Sequence, residues 1–173
     1  MKKAIALMLM AGTCLSANSV FAADGTISFS GNIVSDACKV TVADADQTVT
    51  MGDVATTAFT AAGDKASPTT FKIDLTGCAE AVDHVSVKFD GVSDTTDTSL
   101  LSLDKGQTAK GVGIEISDAQ GNAIPLHTSS PDYPVDSDSG TATLNFSSRY
   151  VATATTVGAG TASGTSQFTI NYQ

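Results

Sequence analysis

Whatever chemistry this chain could perform would fall to its histidines, its cysteines and a short run of aspartates. A histidine becomes a general base when a carboxylate orients it and a hydroxyl or thiol stands within reach. His84 leads into Val85-Ser86-Val87, and His127 follows Pro125-Leu126. Neither has a neighbouring carboxylate and nucleophile in a known catalytic arrangement, and the chain holds no Gly-x-Ser-x-Gly elbow. Both read as solvated side chains at strand ends. The pattern therefore assigns no catalytic residue and no enzyme activity.

The run Asp136-Ser137-Asp138-Ser139-Gly140 faintly resembles a calcium loop. Such a loop needs its glycine one place later and a bidentate Glu at position twelve, where this chain has Ser147. The run reads as a solvated acidic turn, as do Asp94 and Asp97, so no metal is expected. Gly158, Gly160 and Gly164 do not join a strand to a helix, which a phosphate-cradling loop requires. No cofactor is implied.

The cysteines say more. Lys2 and Lys3 precede an apolar run from Ala4 to Leu15, and Val20-Phe21-Ala22 places small or modest residues around a cleavage point. This is the layout of a secretory signal peptide, with an apolar run too short to span a bilayer. Cleavage after Ala22 removes Cys14 and leaves Cys38 and Cys78, an even pair in an exported chain, for which a disulfide is the expected state. A metal site would need further His or Cys ligands beside them. No later stretch is apolar enough to embed the mature chain in a membrane.

These residues must be positioned by β-strands. Phe71, Ile73 and Leu75 alternate with Lys72 and Asp74, while Val85, Val87 and Phe89 alternate with Ser86 and Lys88. Val112, Ile114 and Ile116 alternate with Gly113 and Glu115. Leu144 and Phe146 continue the theme, and Phe168, Ile170 and Tyr172 alternate with Thr169 and Asn171. Period two is the mark of a half-buried strand. Turn-forming residues lie between the runs: Asp90-Gly91, Lys105-Gly106, Gly121-Asn122 and Pro131 to Gly140. Many short alternating strands with polar turns predict an all-β sandwich of one domain. Val54 to Ala62 reads as a loop with a single helical turn. Val157 to Thr165 reads as a stretch loosened by its glycines. Asp24 to Val34 alternates too, with Ile27, Phe29, Gly31 and Ile33 on one face, and it lies wholly ahead of the cysteine pair.

Composition excludes one class of partner. The sequence carries 18 acidic residues against 9 Lys and Arg, and the signal peptide takes Lys2 and Lys3 with it. Such a surface repels nucleic acid, whose affinity comes chiefly from Lys and Arg contacts to phosphate. With no Trp and three Tyr, stacking platforms for a sugar site are few.

The opening Asp24-Gly25-Thr26-Ile27-Ser28-Phe29-Ser30-Gly31-Asn32-Ile33-Val34, with Cys38 four residues on, resembles the start of chaperone–usher pilins. So does Cys78, three residues after Phe71-Lys72-Ile73-Asp74-Leu75. The ending Phe168-Thr169-Ile170-Asn171-Tyr172-Gln173, with its penultimate Tyr, is similar to that family's C-terminal signature. Arg149 to Thr153, followed by the Gly-rich stretch, looks like the region before the last strand of type 1 major fimbrial subunits.

The resemblance implies an immunoglobulin-like, pilin-type β-sandwich lacking its last strand and completed by a donor strand. It divides the chain into a signal peptide (1–22), an N-terminal donor-strand extension (23–36) and a sandwich domain (37–173). Ile27, Phe29, Gly31 and Ile33 would be the donor residues, with Gly31 at the family's conserved small position. Phe168, Ile170, Tyr172 and Gln173 would form the C-terminal edge that a periplasmic chaperone pairs with. Neighbouring pilin subunits, that chaperone and an outer-membrane usher are the implied partners. The implied function is a structural subunit of a surface fimbria that supports adhesion. A minor or adaptor pilin, and a secreted carbohydrate-binding sandwich, remain open alternatives at this stage.

Overall fold

The computed structural model describes residues 27–29 and 38–173. The chain divides into two units, Met1–Ile33 and Val34–Gln173. The signal segment and the donor positions Gly31 and Ile33 lie outside the described residues. In the first unit, Ile27 is 80 % and Phe29 is 93 % exposed.

The second unit is built of β1 (Lys39–Val40), β2 (Thr69–Thr76), β3 (His84–Asp90), β4 (Val112–Asp118), β5 (Tyr133–Pro134), β6 (Ala142–Ala152) and β7 (Gln167–Tyr172). One sheet has the order β1-β2-β6-β4 and the other β5-β3-β7. Every pairing is antiparallel. The alternating runs read from the sequence account for β2, β3, β4, β6 and β7, whereas β1 lies outside them and β5 falls within the stretch 131–140 read as turn-forming. In β2, β6 and β7 an apolar row packs inward while Lys, Asn and Thr of the alternate row are more exposed. Among the described residues, helix is confined to a four-residue turn, Val42–Ala45, and a 3-10 turn, Thr56–Ala58, the latter inside the predicted 54–62 loop.

The two sheets close on one core. Ile73 and Leu75 of β2 and Leu144 and Phe146 of β6 face Val85, Val87 and Phe89 of β3. Phe146 anchors it, with its ring centroid 5.1 Å from Phe89 and 5.5 Å from both Phe71 and Tyr133. The contacts with Phe89 and Tyr133 are edge-to-face and that with Phe71 is tilted, and such ring pairs add to the apolar burial of each ring. Cys38 and Cys78 form the expected disulfide, across a sequence separation of 40.

β4 departs from the half-buried expectation, because every one of its residues is buried. The reason lies in its neighbours. Leu101 bridges to Ile114, and Leu100 lies so close over Gly113 that a side chain there would meet it at 3.0 Å. On the outer face, Glu115 is held between Arg149 (Nε at 2.7 Å) and Lys65 (Nζ at 2.6 Å). Burial pushes its carboxyl up, but hydrogen bonds from those two cations overrule burial and hold it below the ordinary value. A buried carboxylate is tolerated when it is paired in this way.

The Gly-rich stretch 157–165 also differs from expectation, for it is fastened rather than loose. Main-chain bonds join Gly158 to Lys110 and Thr161 to Thr108 and Ala109, and the Asp104 amide donates to the Ser163 carbonyl. Thr165 donates twice to the Asp104 carboxylate, and the Tyr150 hydroxyl donates to the Ala162 carbonyl. The glycines serve close approach. A Cβ on Gly164 would stand 2.8 Å from Ile114 and 3.0 Å from the Ser102 carbonyl.

Candidate functional site

The last strand ends the sheet β5-β3-β7 with one side unpaired among the described residues. Its register settles which groups are left over. His84 and Gln173 exchange both main-chain hydrogen bonds, at 3.2 and 2.9 Å. Antiparallel pairing alternates bonded and non-bonded pairs, so Ser86–Asn171, Lys88–Thr169 and Asp90–Gln167 are the bonded pairs. Phe168, Ile170 and Tyr172 then turn their N–H and C=O groups away from β3, and no described residue bonds to those groups. The far side of β3 fits this phase: Val87 bonds Ser130, and the Phe89 carbonyl accepts the His127 amide.

The side chains of the same three residues face the core and are only half-buried. The first sheet leaves a matching border. β1 covers only Leu75 and Thr76 of β2. Val40 of β1 and, beyond it, Met51 and Phe71 pack against the core while remaining half-buried. The two borders are joined at one end, where the Tyr172 hydroxyl donates to the Cys38 carbonyl at 3.1 Å. An apolar seam therefore opens between β7 and the border from β1 to Met51. Its rim of unpaired main-chain groups offers a ready template for another strand.

The C-terminal residue predicted to meet a chaperone is itself engaged. The Gln173 main-chain oxygen accepts the Asp83 and His84 amides, and its side-chain amide donates to Asp132 at 3.2 Å. Cys38, Cys78, Tyr172 and Gln173 thus come together at one end of the seam, while Ile170 and Phe168 follow along its β7 side. The border formed by Val40, Met51 and Phe71 escaped the sequence reading. The alternation Val49-Thr50-Met51 was the available signal.

His127 also differs from its expected solitude. Its Nδ1 lies 2.9 Å from Asp90 Oδ1 and its Nε2 lies 3.4 Å from Ser93 Oγ, a serine–histidine–aspartate order. The spacing and exposure of the group depart from those of a catalytic triad. Asp90 also pairs with Lys88 at 3.0 Å, the histidine side chain is half-exposed, and the longer contact leaves the serine poorly activated. Hydrogen bonds from His127 and Lys88 hold the Asp90 carboxyl below its ordinary value. The cluster clasps the loops after β3 and before β5, with His127 in the left-handed region at φ 66°.

The Asp136 carboxylate accepts the Asp138 and Ser139 amides, which is an acidic turn closed on itself. No helix among the described residues is long and apolar enough to cross a membrane.

Comparison with known proteins bears on the seam. The sequence model of the fimbrial protein family matches residues 27–173. The chain is 39 % identical to the type-1 fimbrial protein A chain of Salmonella typhi, over 96 % of this chain and 94 % of that one. It is 34 % identical to the probable major fimbrial subunit LpfA of Escherichia coli O157:H7, over 100 % and 98 %. Among solved structures, an antigen and type I fimbria protein of Burkholderia pseudomallei superposes with a TM-score of 0.62 at 34 % identity, over 86 % of this chain and 97 % of that one. The P pilus rod subunit PapA shares the fold, with a TM-score of 0.64 at 20 % identity, over 80 % and 100 %.

Proposed function

The chain belongs to the fimbrial protein family and is a structural subunit of a fimbria, and from that premise we propose that it polymerises head to tail by strand donation. Each copy lends its extension, residues 23–36, to the seam of a neighbour. The observation that carries this reading is the phase of β7: the same three residues offer unpaired main-chain groups and half-buried apolar side chains.

An added strand answers both needs, pairing the main chain while alternate side chains enter the seam. The extension has the right alternation, and Ile27 and Phe29 stand exposed in their own unit. Ile27, Phe29 and Ile33 would each gain about 1.5–3 kcal/mol on burial, and each main-chain bond about 0.5–1.5 kcal/mol. Donor and acceptor surfaces differ, so the contact is heterologous and propagates into an open fibre unless its rotation closes. No energy-yielding chemistry is required.

Before assembly the same edge must be covered. A periplasmic chaperone that lends a strand to β7, followed by an outer-membrane usher, fits an exported chain with an unfinished sheet. The extracellular fimbria is the end point, and attachment is a property of the whole fibre.

The test uses a chain lacking residues 23–34 together with a synthetic peptide of that segment. The peptide should raise the melting temperature of the truncated chain and bind with slow release. A truncated chain that is fully stable alone and indifferent to the peptide would overturn the reading.

A further inference from the structure

Met51 is the only methionine beyond the signal segment, since the others are Met1, Met8 and Met10. Its thioether accepts a hydrogen bond from the Ser148 hydroxyl at 3.0 Å. Ser148 is buried, 6 % exposed, and occupies the inward-facing row of β6 after Leu144 and Phe146. A hydroxyl in that row needs a partner, and a thioether is a weak one. Met51 is half-buried and sits on the border of the seam. Its neighbours from Thr48 to Val54 make no main-chain hydrogen bonds with described residues.

We propose that Met51 is a reversible oxidation site, at which a peroxide or hypochlorous acid forms a sulfoxide whose oxygen is received by the Ser148 hydroxyl. With hydrogen peroxide, a sulfur lone pair attacks one peroxide oxygen, the O–O bond breaks and the S–O bond forms. The departing hydroxide takes the proton of the transferred oxygen and leaves as water. Sulfur loses two electrons and the peroxide gains them.

Three observations favour this site. The residue is only half-buried, the segment that carries it makes no main-chain bond with described residues, and the hydroxyl of a buried serine already points at its sulfur. A sulfoxide is a far stronger acceptor than a thioether, so Ser148 turns from a poorly partnered hydroxyl into a satisfied one. The modification makes a flexible apolar side chain polar at a place an incoming strand would cover. That consequence rests on the strand-donation reading, whereas the modification itself does not.

The purified chain is treated with hydrogen peroxide at a concentration that leaves its circular dichroism unchanged, and peptides are mapped by mass. One oxygen should appear on the Met51 peptide of the folded chain and be removed by methionine sulfoxide reductases. Oxidation only after unfolding would overturn the proposal. The drop in melting temperature on oxidation should be larger in Ser148→Ala than in the unsubstituted chain, and an equal drop in both would overturn the role of Ser148. Binding of the 23–34 peptide should slow about tenfold after oxidation, recover on reduction, and be insensitive to peroxide in Met51→Leu. An oxidised chain that binds peptide at the unmodified rate would overturn the coupling. If even the reduced chain ignores the peptide, the strand-donation reading fails while oxygen on Met51 upholds the site.

Discussion

The Tyr172 hydroxyl donates to the Cys38 carbonyl at 3.1 Å, tying the last strand to the residue that opens the first. Burial pushes the phenol above its ordinary value, so it keeps its proton and remains a donor throughout the physiological range. One residue further on, Gln173 exchanges main-chain bonds with His84, and Cys38 is crosslinked to Cys78. One end of the seam is thus held by a covalent bond, a side-chain bond and a main-chain pair, while one edge of β7 has no strand partner among the described residues.

Tyr172→Phe tests the side-chain tie. The ring stays and the hydroxyl goes, leaving the carbonyl of a buried residue without its partner. The cost should be about 1 kcal/mol, read by calorimetry as a fall of about 2–4 °C in melting temperature. An unchanged melting temperature would mean that ring packing alone holds this end.

The crosslink should matter more. Closing a loop across a separation of 40 residues stabilises by about 4 kcal/mol in the chain-entropy account. Cys38→Ser with Cys78→Ser should lower the denaturant midpoint by a corresponding amount, measured by fluorescence or circular dichroism in urea. Loss of the crosslink should also weaken peptide binding at the seam, because Cys38 fixes one of its borders.

Much of this was legible from residue order alone. The alternations at Phe71–Leu75, Val85–Phe89, Val112–Ile116 and Phe168–Tyr172 marked four strands, since period two has few other physical causes. The disulfide followed from the pair left once the signal segment and its Cys14 are set aside. What escaped detection depended on contacts distant in sequence. Nothing near Val112 announces that Leu100 will cover Gly113 and bury β4 on both faces. His127 gains Asp90 and Ser93 only because two loops meet. Met51 drew no reading from the sequence, and only the fold places Ser148 of β6 beside it. Sequence periodicity reports one strand at a time, whereas the seam is a relation between two sheet borders.

Gly31 offers a test of register in the proposed exchange. If Gly31 takes the small position of the donor strand that the family resemblance implies, Gly31→Leu should change the melting temperature of the chain by no more than about 1 °C. It should also slow fibre growth strongly, followed by electron microscopy and by resistance of the polymer to dissociation in detergent. Fibres of normal length and growth rate would remove Gly31 from the contact.

Acid should probe the outer face. Desolvation raises the Glu115 carboxyl, but hydrogen bonds from Lys65 and Arg149 lower it further, so its folded value lies below the ordinary 4.5. A depressed carboxylate stabilises the fold above its unfolded value and loses that contribution as pH falls through the folded one. Asp74 and Asp118 are held low as well. Bonds from Lys72 and Thr143 do this for Asp74, while at Asp118 burial is outweighed by bonds from Asn122 and the following main chain. Stability should therefore be flat from neutral pH to about 5 and decline below about 4.5. Glu115→Gln keeps the shape and removes the charge, leaving two cations facing a neutral amide. It should cost about 2–3 kcal/mol at neutral pH, with Arg149 contributing more than the more exposed Lys65. The variant's acid decline should be shallower than that of the unsubstituted chain, because one titrating group has been taken out of the folded state. Urea midpoints measured from pH 7 to pH 3 on both proteins give the two slopes. Parallel declines would show that the carboxylate is not coupled to folding through these cations.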